Sequence, residues 1–481
     1  MAAARRKARK STRKTASKPP RRKAVAKTKA KAKTKTKAKA KAKTAPKRTT
    51  RAKARPAAAA RSRPVPALSN AEATEIRSDG SMYSPLKGVT VVDLTKVLAG
   101  PLCTQYLAEL GATVIKVEPT KLGDDSRGWP PFTGTDGAVF LSVNRGKRSI
   151  ALDLKTPESK AILYKLVKKA DVFLESNRTG AAGRLGIDYE SIRKINPRII
   201  YTSVSGYGRT GPRAPLPGYD LALQAFSGIM SITGEKGGAP VRAAFSPLDQ
   251  ATGMNAVIGI LAALRDREAT GQGRYLEVSL METALMFLAY TFQIYWTDHK
   301  IPGRAGSAHE SIAPYQVFST ADDFVLLACG NDALWQRFCD AAGRSELKAD
   351  PRYATNADRV KNFAETVALT ESILKGRRAA EWIDMLAKAG VPCAPINTVD
   401  RILADPQVLA RHMVLVADHP RYGKVPGIAM PIHFGGFARS TRSAPPIHGQ
   451  HTQDVLRELG YNDKEIARWQ AAGMIRIPDA K

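Results

Sequence analysis

Cysteine is scarce: four residues, Cys103, Cys329, Cys339 and Cys393, in a chain of 481. No two of them show C-x-x-C spacing and no Cys/His cluster accompanies them, so neither a disulfide framework nor a zinc site is indicated. In that reducing setting the Asn177-Arg-Thr sequon carries no meaning. Apolar runs long enough to span a bilayer are missing as well, and no apolar core follows the basic start to make a secretory signal. These absences lead us to expect a soluble, cytoplasmic protein without a membrane partner. Acidic residues are absent from residues 1–70, which hold 27 Lys and Arg and no Asp or Glu. The chain's net charge is +33, so residues 71–481 carry only +6 (33 less 27).

The charge is therefore a property of one segment. Lys27 to Lys43 alternates Lys-Ala and Lys-Thr, with Arg clusters and prolines around it, down to Arg61-Ser-Arg-Pro-Val-Pro66. Like charges repel and no apolar surface offsets the ordering entropy, so residues 1–81 read as a disordered basic tail. Weak, salt-sensitive, sequence-blind contact with nucleic acid is open to such a tail, since each cation near a phosphate releases counterions. A solvated extension without a partner, or a translation start at Met82, accounts for the same residues. A targeting peptide fits less well, because Lys-Ala repeats do not make an Arg-rich amphipathic helix.

From Leu86 the texture changes. Gly88 to Leu94 is a short apolar run suited to a buried strand. Pro101 to Leu110 has helical spacing, with Pro101 in the first turn and Gly111 as C-terminal cap, and Thr113 to Glu118 is strand again. The alternation continues through a helix from Thr156-Pro157 to Lys169, a strand at Val172–Glu175, a helix from Asp188 to Ile195 and a strand from Arg198 to Val204. It implies parallel βαβ units in a doubly wound, Rossmann-like α/β domain. A long helix is expected over Gln250–Asp266, a strand over Tyr275–Leu280 and a helix on to Trp296. We place the large α/β domain at 82–298, a smaller α/β domain with its linker at 299–400, and a C-terminal part at 401–481 that returns to the large domain.

Gly206-Tyr-Gly-Arg-Thr-Gly211 matches a dinucleotide fingerprint, but that motif needs a helix opening at its last glycine. Pro212, Pro215 and Pro217 forbid one. The stretch from Asn144 to Lys155 interleaves four cations with an apolar strand, either as a solvated edge or as a clamp for a polyanion. Asp249 stands where a loop meets an apolar helix. An N-cap role is the ordinary reading, although a helix N-terminus can also stabilise a carboxylate and offer amides to an oxyanion.

Taken together, these stretches resemble the class III CoA-transferase family from about residue 84 to 472. The resemblance is carried by Gly88 to Pro101, Leu110 to Glu118, Asn144 to Lys155, Ala170-Asp-Val172, Arg184 to Glu190, Gly206-Tyr-Gly208, Gly218-Tyr-Asp220, Gln224, Asp249, Gly271-Gln-Gly273 and Gly449 to Thr452. It implies that Asp249 is the nucleophile and that the CoA thioester, a substrate and not a resident cofactor, lies against Leu98, Ala99, Leu152, Asp153, Leu154, Lys155, Arg184, Tyr219 and Asp220. Asn177 belongs to the same set. It stands in Glu175-Ser-Asn-Arg-Thr-Gly180, where relatives show Glu-Asn-Phe-Arg-Pro-Gly. Lys155 and Arg184 have the charge to pair with CoA phosphates. A carboxylate attacking the thioester gives a mixed anhydride, and the released thiolate converts it to an aspartyl thioester, with no metal required. The resemblance also implies an interlocked homodimer.

Two rivals differ in chemistry. A racemase on this fold needs two acid/base groups, and relatives of that type carry a His where this chain has Tyr219; all seven histidines lie at or after His299. A DNA-associated protein with an inactive transferase fold would not need the surroundings of Asp249 intact. The glycine-rich loop of formyl-CoA transferase is absent; Gly303 and Gly306 stand nearby. The run from Gly303 to Gln316 and Pro240-Val-Arg242 resemble dicarboxylate-using members, where Arg242 or Arg304 could hold a distal carboxylate.

Overall fold

The computed structural model describes residues 74–75, 83–434 and 443–479, all within one compact unit, Pro64–Lys481. The basic tail expected over 1–81 lies outside the described residues except for Thr74–Glu75, a two-residue strand paired parallel with Leu415 and Val416.

A mostly parallel sheet forms the centre. Its strands are β1 (Thr90–Leu94), β2 (Thr113–Glu118), β3 (Lys147–Leu152), β4 (Val172–Glu175), β5 (Ile200–Ser205), β6 (Arg274–Ser279) and β7 (Ile475–Arg476), in the order β7-β3-β2-β1-β4-β5-β6. All pair in parallel except β7, which closes the edge antiparallel to β3. The helices are α1 (Ala99–Glu109), α2 (Pro157–Lys169), α3 (Tyr189–Ile195), α4 (Asp220–Ser227), α5 (Pro247–Thr270), α6 (Leu280–Phe287) and α7 (Ala289–Asp298).

Side chains alternate across a strand, and the two faces of the sheet hold separate cores. Val92, Ile115, Val117, Ile150 and Phe173 pack against Ile162, Leu163 and Leu166 of α2 and against Ile466 and Trp469. Val91, Val114, Val172, Leu174 and Ile200 pack against Leu102 and Leu107 of α1 and Ala256, Val257 and Ile260 of α5. Each large apolar side chain buried in this way contributes roughly 1.5–3 kcal/mol. Helix starts follow local chemistry. Thr156 caps α2 by accepting from Ser159 N at 3.3 Å with Pro157 behind it, and Asp188 caps α3 by accepting from Ser191 N at 3.2 Å.

A third core sits between an antiparallel sheet (Tyr315–Ser319, Phe324–Ala328, Cys393–Pro395) and the helices Asp332–Ala341 and Ala379–Lys388, around Trp335, Phe338, Trp382 and Leu386. Two expectations change. The long helix starts three residues earlier, because Pro247 is a favourable first-turn residue and not a barrier. The helix expected to run to Trp296 is interrupted at Leu288, which separates α6 from α7. No helix opens at Gly211; residues 209–216 are bends and a turn, and the chain next becomes helical at Asp220.

Candidate active site

The carboxyl ends of β1, β4 and β5 lie on one edge of the sheet, and the loops that follow them enclose a cavity of about 350 Å³. From β1 come Lys96 to Ala99, from β4 Ser176 to Thr179, and from β5 Val204 to Gly206 and Arg209. Pro217 to Tyr219 and Asp249 complete the wall. Ligands of open parallel sheets enter at this edge.

The turn after β1 is held from below by buried charges. Lys116 Nζ donates to Thr95 O at 2.9 Å and pairs with Asp124 at 2.8 Å, and Asp124 Oδ1 accepts from Val97 N at 3.1 Å. Lys147 Nζ reaches Pro101 O at 2.8 Å and Asp93 at 3.4 Å. Val97 has φ +71, an unfavourable region for a β-branched residue, so the network holds a conformation the chain would not adopt alone. Gly100 is required there, since a Cβ would stand 2.3 Å from Thr95 Cβ. The cap of α1 is Leu98, whose side chain has no acceptor, so among the described residues no cap side chain takes the first-turn amides of Ala99 and Gly100 at the cavity.

Asp249 is the third residue of α5, not its cap. In the first turn Pro247 has no N–H, the amides of Leu248 and Asp249 donate to Asp220 Oδ2 at 2.8 and 3.1 Å, and Gln250 N donates to Ser246 O at 3.3 Å. The expectation that this terminus offers amides to an oxyanion is therefore not met, because a buried carboxylate from α4 already takes them. No hydrogen bond among the described residues holds the Asp249 carboxylate, and burial first, then the Asp220 charge, pushes its pKa up to about 7.

The site residues expected from sequence divide. Leu98, Ala99, Asn177 and Tyr219 line the cavity with Asp249. Leu152 ends β3 and is 1% exposed in the core; Asp153, Leu154 and Lys155 form the turn into α2, at the same sheet edge but two strands from β1. Arg184 is exposed on the short helix Ala181–Leu185, outside this cavity. Asp220 is buried with both oxygens engaged, Oδ1 by Gln224 Nε2 and Oδ2 by the α5 amides. Arg242 is exposed, and Arg304 Nη1 donates to Ser231 O at 3.2 Å; neither lines the cavity.

Sequence reasoning missed Arg209. Its guanidinium bonds Asn177 O at 2.6 Å, Glu175 at 2.8 Å and Ser203 Oγ at 2.6 Å, while Glu175 Oε2 accepts from Asn177 N at 2.8 Å. That ion pair shapes the loop after β4 where it departs from the family pattern. An Arg closely following a glycine turn at a strand end was the available signal, hidden by the search for a dinucleotide motif.

The sequence pattern of CoA-transferase family III matches residues 86–452. Human succinyl-CoA:glutarate CoA-transferase is 39% identical over 403 residues, 83% of this chain and 92% of that protein. Acetyl-CoA:oxalate CoA-transferase of Acetobacter aceti is 43% identical over 332 residues, 69% of this chain and 85% of that protein. The crystal structure of a CAIB/BAIF family protein from Brucella suis superposes with a TM-score of 0.70 at 40% identity, covering 78% of this chain and all of that one.

Proposed function

The chain belongs to CoA-transferase family III, and from that premise we propose that it moves CoA from an acyl-CoA to a free carboxylic acid through covalent intermediates on Asp249. The observation that carries this reading is a half-buried, unbonded carboxylate facing a cavity at the sheet's carboxyl edge.

The Asp249 carboxylate attacks the thioester carbonyl. The C–S bond breaks, CoA leaves as thiolate, and an aspartyl–acyl anhydride remains. The thiolate then attacks the aspartyl carbonyl, releasing the donor acid and leaving an aspartyl-CoA thioester. The acceptor carboxylate attacks that carbonyl and frees the thiolate, which takes the new acyl group and restores Asp249. Each step exchanges groups of similar energy, so one difficult transfer becomes several accessible ones. The first-turn amides of Ala99 and Gly100 are donors for an oxyanion, and a long CoA can run from this cavity along the sheet edge toward Asp153–Lys155.

Glutarate, oxalate and mesaconate appear in the names of relatives, which supports a dicarboxylate as donor or acceptor. Leu285, Met286, Phe287, Tyr290 and Trp296 on α6 and α7 are exposed, and we assign that apolar face to a second copy of the chain in a homodimer. The charge of residues 1–70 supports an additional, sequence-blind contact with nucleic acid.

The test pairs succinyl-CoA with labelled glutarate, oxalate and mesaconate in turn and follows the new thioester by mass. Wild-type protein is expected to exchange CoA and Asp249→Ala is not, with the variant still folded. Hydroxylamine added with acyl-CoA is expected to convert Asp249 to its hydroxamate. Turnover retained by Asp249→Ala would overturn the mechanism.

A further inference from the structure

An acidic residue in the first turn of a helix meets free backbone N–H groups there. Bonds to them stabilise the anion and make it a poor nucleophile. In α5 that outcome is blocked from another helix. Asp220, the first residue of α4, is 5% exposed, and its Oδ2 accepts from the first-turn amides of Leu248 and Asp249, at 2.8 and 3.1 Å. Its Oδ1 accepts from Gln224 Nε2 one turn on, and Gln224 Oε1 accepts from Ala243 N at 2.9 Å. Gln224 is fully buried, so this chain of bonds is shielded from water.

We propose that Asp220 is a positioning residue for the nucleophile: it caps α5 in place of Asp249, stands as a second negative charge beside it, and so leaves the Asp249 carboxylate unbonded and turned to the cavity, with Gln224 and the Ala243 loop fixing its geometry. Burial and a neighbouring negative charge both favour the neutral form of a carboxyl, so Asp249, which has no hydrogen bond to hold its anion, becomes the stronger base. The cavity's other charged side chains are Lys96, Asp125, Arg178 and Arg209; Asp220 is the charge that acts on Asp249. Attack on a thioester gains from that basicity, because nucleophilicity of one atom type rises with its proton affinity.

This inference rests on Asp249 as the reacting group, but it can be read without turnover. Isotope-edited infrared spectroscopy of protein carrying 13C-labelled Asp identifies the protonated Asp249 carboxyl as the band lost in Asp249→Asn. Its titration in wild type is expected near pH 7. Asp220→Asn keeps one oxygen for the two α5 amides and turns an NH2 toward Gln224, whose amide must flip. In that variant the band is expected to titrate about one pH unit lower, and the acidic limb of kcat/KM is expected to move with it. A purely structural cap would lower Tm and leave both curves in place, which would overturn the proposal. Should Asp220→Asn fail to fold, Gln224→Met keeps the charge and loosens its geometry: kcat is expected to fall several-fold with KM and the pH limb retained, and an unchanged kcat overturns the proposal. If wild type shows no CoA exchange while the infrared shift occurs, the functional reading fails and the positioning role stands.

Discussion

Asp220 Oδ2 accepts from Asp249 N at 3.1 Å, so the residue whose charge adds to burial in raising the pKa of the Asp249 side chain also holds its backbone. One carboxylate is spent on helix geometry so that the other stays available for attack. From this arrangement the pH response of the protein can be derived with its sign.

Exchange requires ionised Asp249. With its carboxyl pushed up to about 7, kcat/KM is expected to fall close to tenfold per pH unit below that value and to level above it. Initial rates between pH 5 and 9, with substrates that do not titrate there, give the curve. A plateau reaching down to pH 5 would mean an ordinary carboxylate and would contradict the environment described.

Stability moves the other way. The folded state raises this carboxyl above its unfolded value of about 3.9, so the native fold favours the protonated form. That contribution is present at pH 4 and is lost as pH climbs through the folded value near 7. Asp249→Asn removes the penalty of the buried anion. Its stability is expected to match wild type at pH 4 and to exceed it at pH 8 by at most about 4 kcal/mol, read as a higher Tm. Calorimetry at the two pH values is sufficient, and a gain of equal size at both would rule out this cause.

How much of this was legible in the sequence depends on where the information lies. The strands Thr113–Glu118 and Val172–Glu175 and the helix Pro157–Lys169 match their sequence reading to the residue, because apolar period, proline and cap are local signals. Asp249 stood out through family likeness; of the residues that likeness implied, Leu98, Ala99, Asn177 and Tyr219 line one cavity with it, while Leu152 to Lys155, Arg184 and Asp220 do not. What stayed hidden was long-range. Asp220 reaches the amides of residues 28 and 29 positions on, and Asp124 supports Val97 across 27. Neither separation leaves a trace in local pattern. The β7 edge pairs with Leu152 and Ala151 from more than 300 residues away, and two residues carry too little periodicity to announce a strand.

The strained turn at Val97 offers a separate test. Asp124 has its charge balanced by Lys116 at 2.8 Å with both side chains buried. Asp124→Ala removes the nearest counter-charge of the buried lysine, leaving the more distant Asp93 and Glu118, and is expected to cost about 3 kcal/mol. The milder Val97→Gly relieves the φ +71 strain, keeps the amide bonded to Asp124 and frees the loop to move. Its Tm is expected to stay within a few degrees of wild type while KM for the acyl-CoA rises several-fold and kcat holds. If KM is unmoved, the network supports the fold and not the substrate.

The last prediction concerns the 27 cations of residues 1–70. The body from 71 onward carries only +6, and its fields are mixed, with ion pairs such as Arg148–Glu458 and Arg352–Asp350 across its surface. A truncation that removes 1–70 keeps Thr74–Glu75, which pairs with Leu415 and Val416, and keeps every residue assigned to the cavity. Turnover and Tm are therefore expected to remain at the full-length values. Binding to a random-sequence duplex is expected for the full chain alone. The logarithm of its affinity should fall linearly with the logarithm of salt, with a slope near −0.9 for each phosphate neutralised. Because no base edge is read, two duplexes of unrelated sequence should compete equally. A fluorescence titration of both proteins at about 50 and 200 mM salt separates the cases. Equal binding by both would place the contact on the catalytic body and overturn the assignment of charge to one segment. Binding by neither would leave the tail as a solvated extension, with the exchange chemistry at Asp249 unaffected.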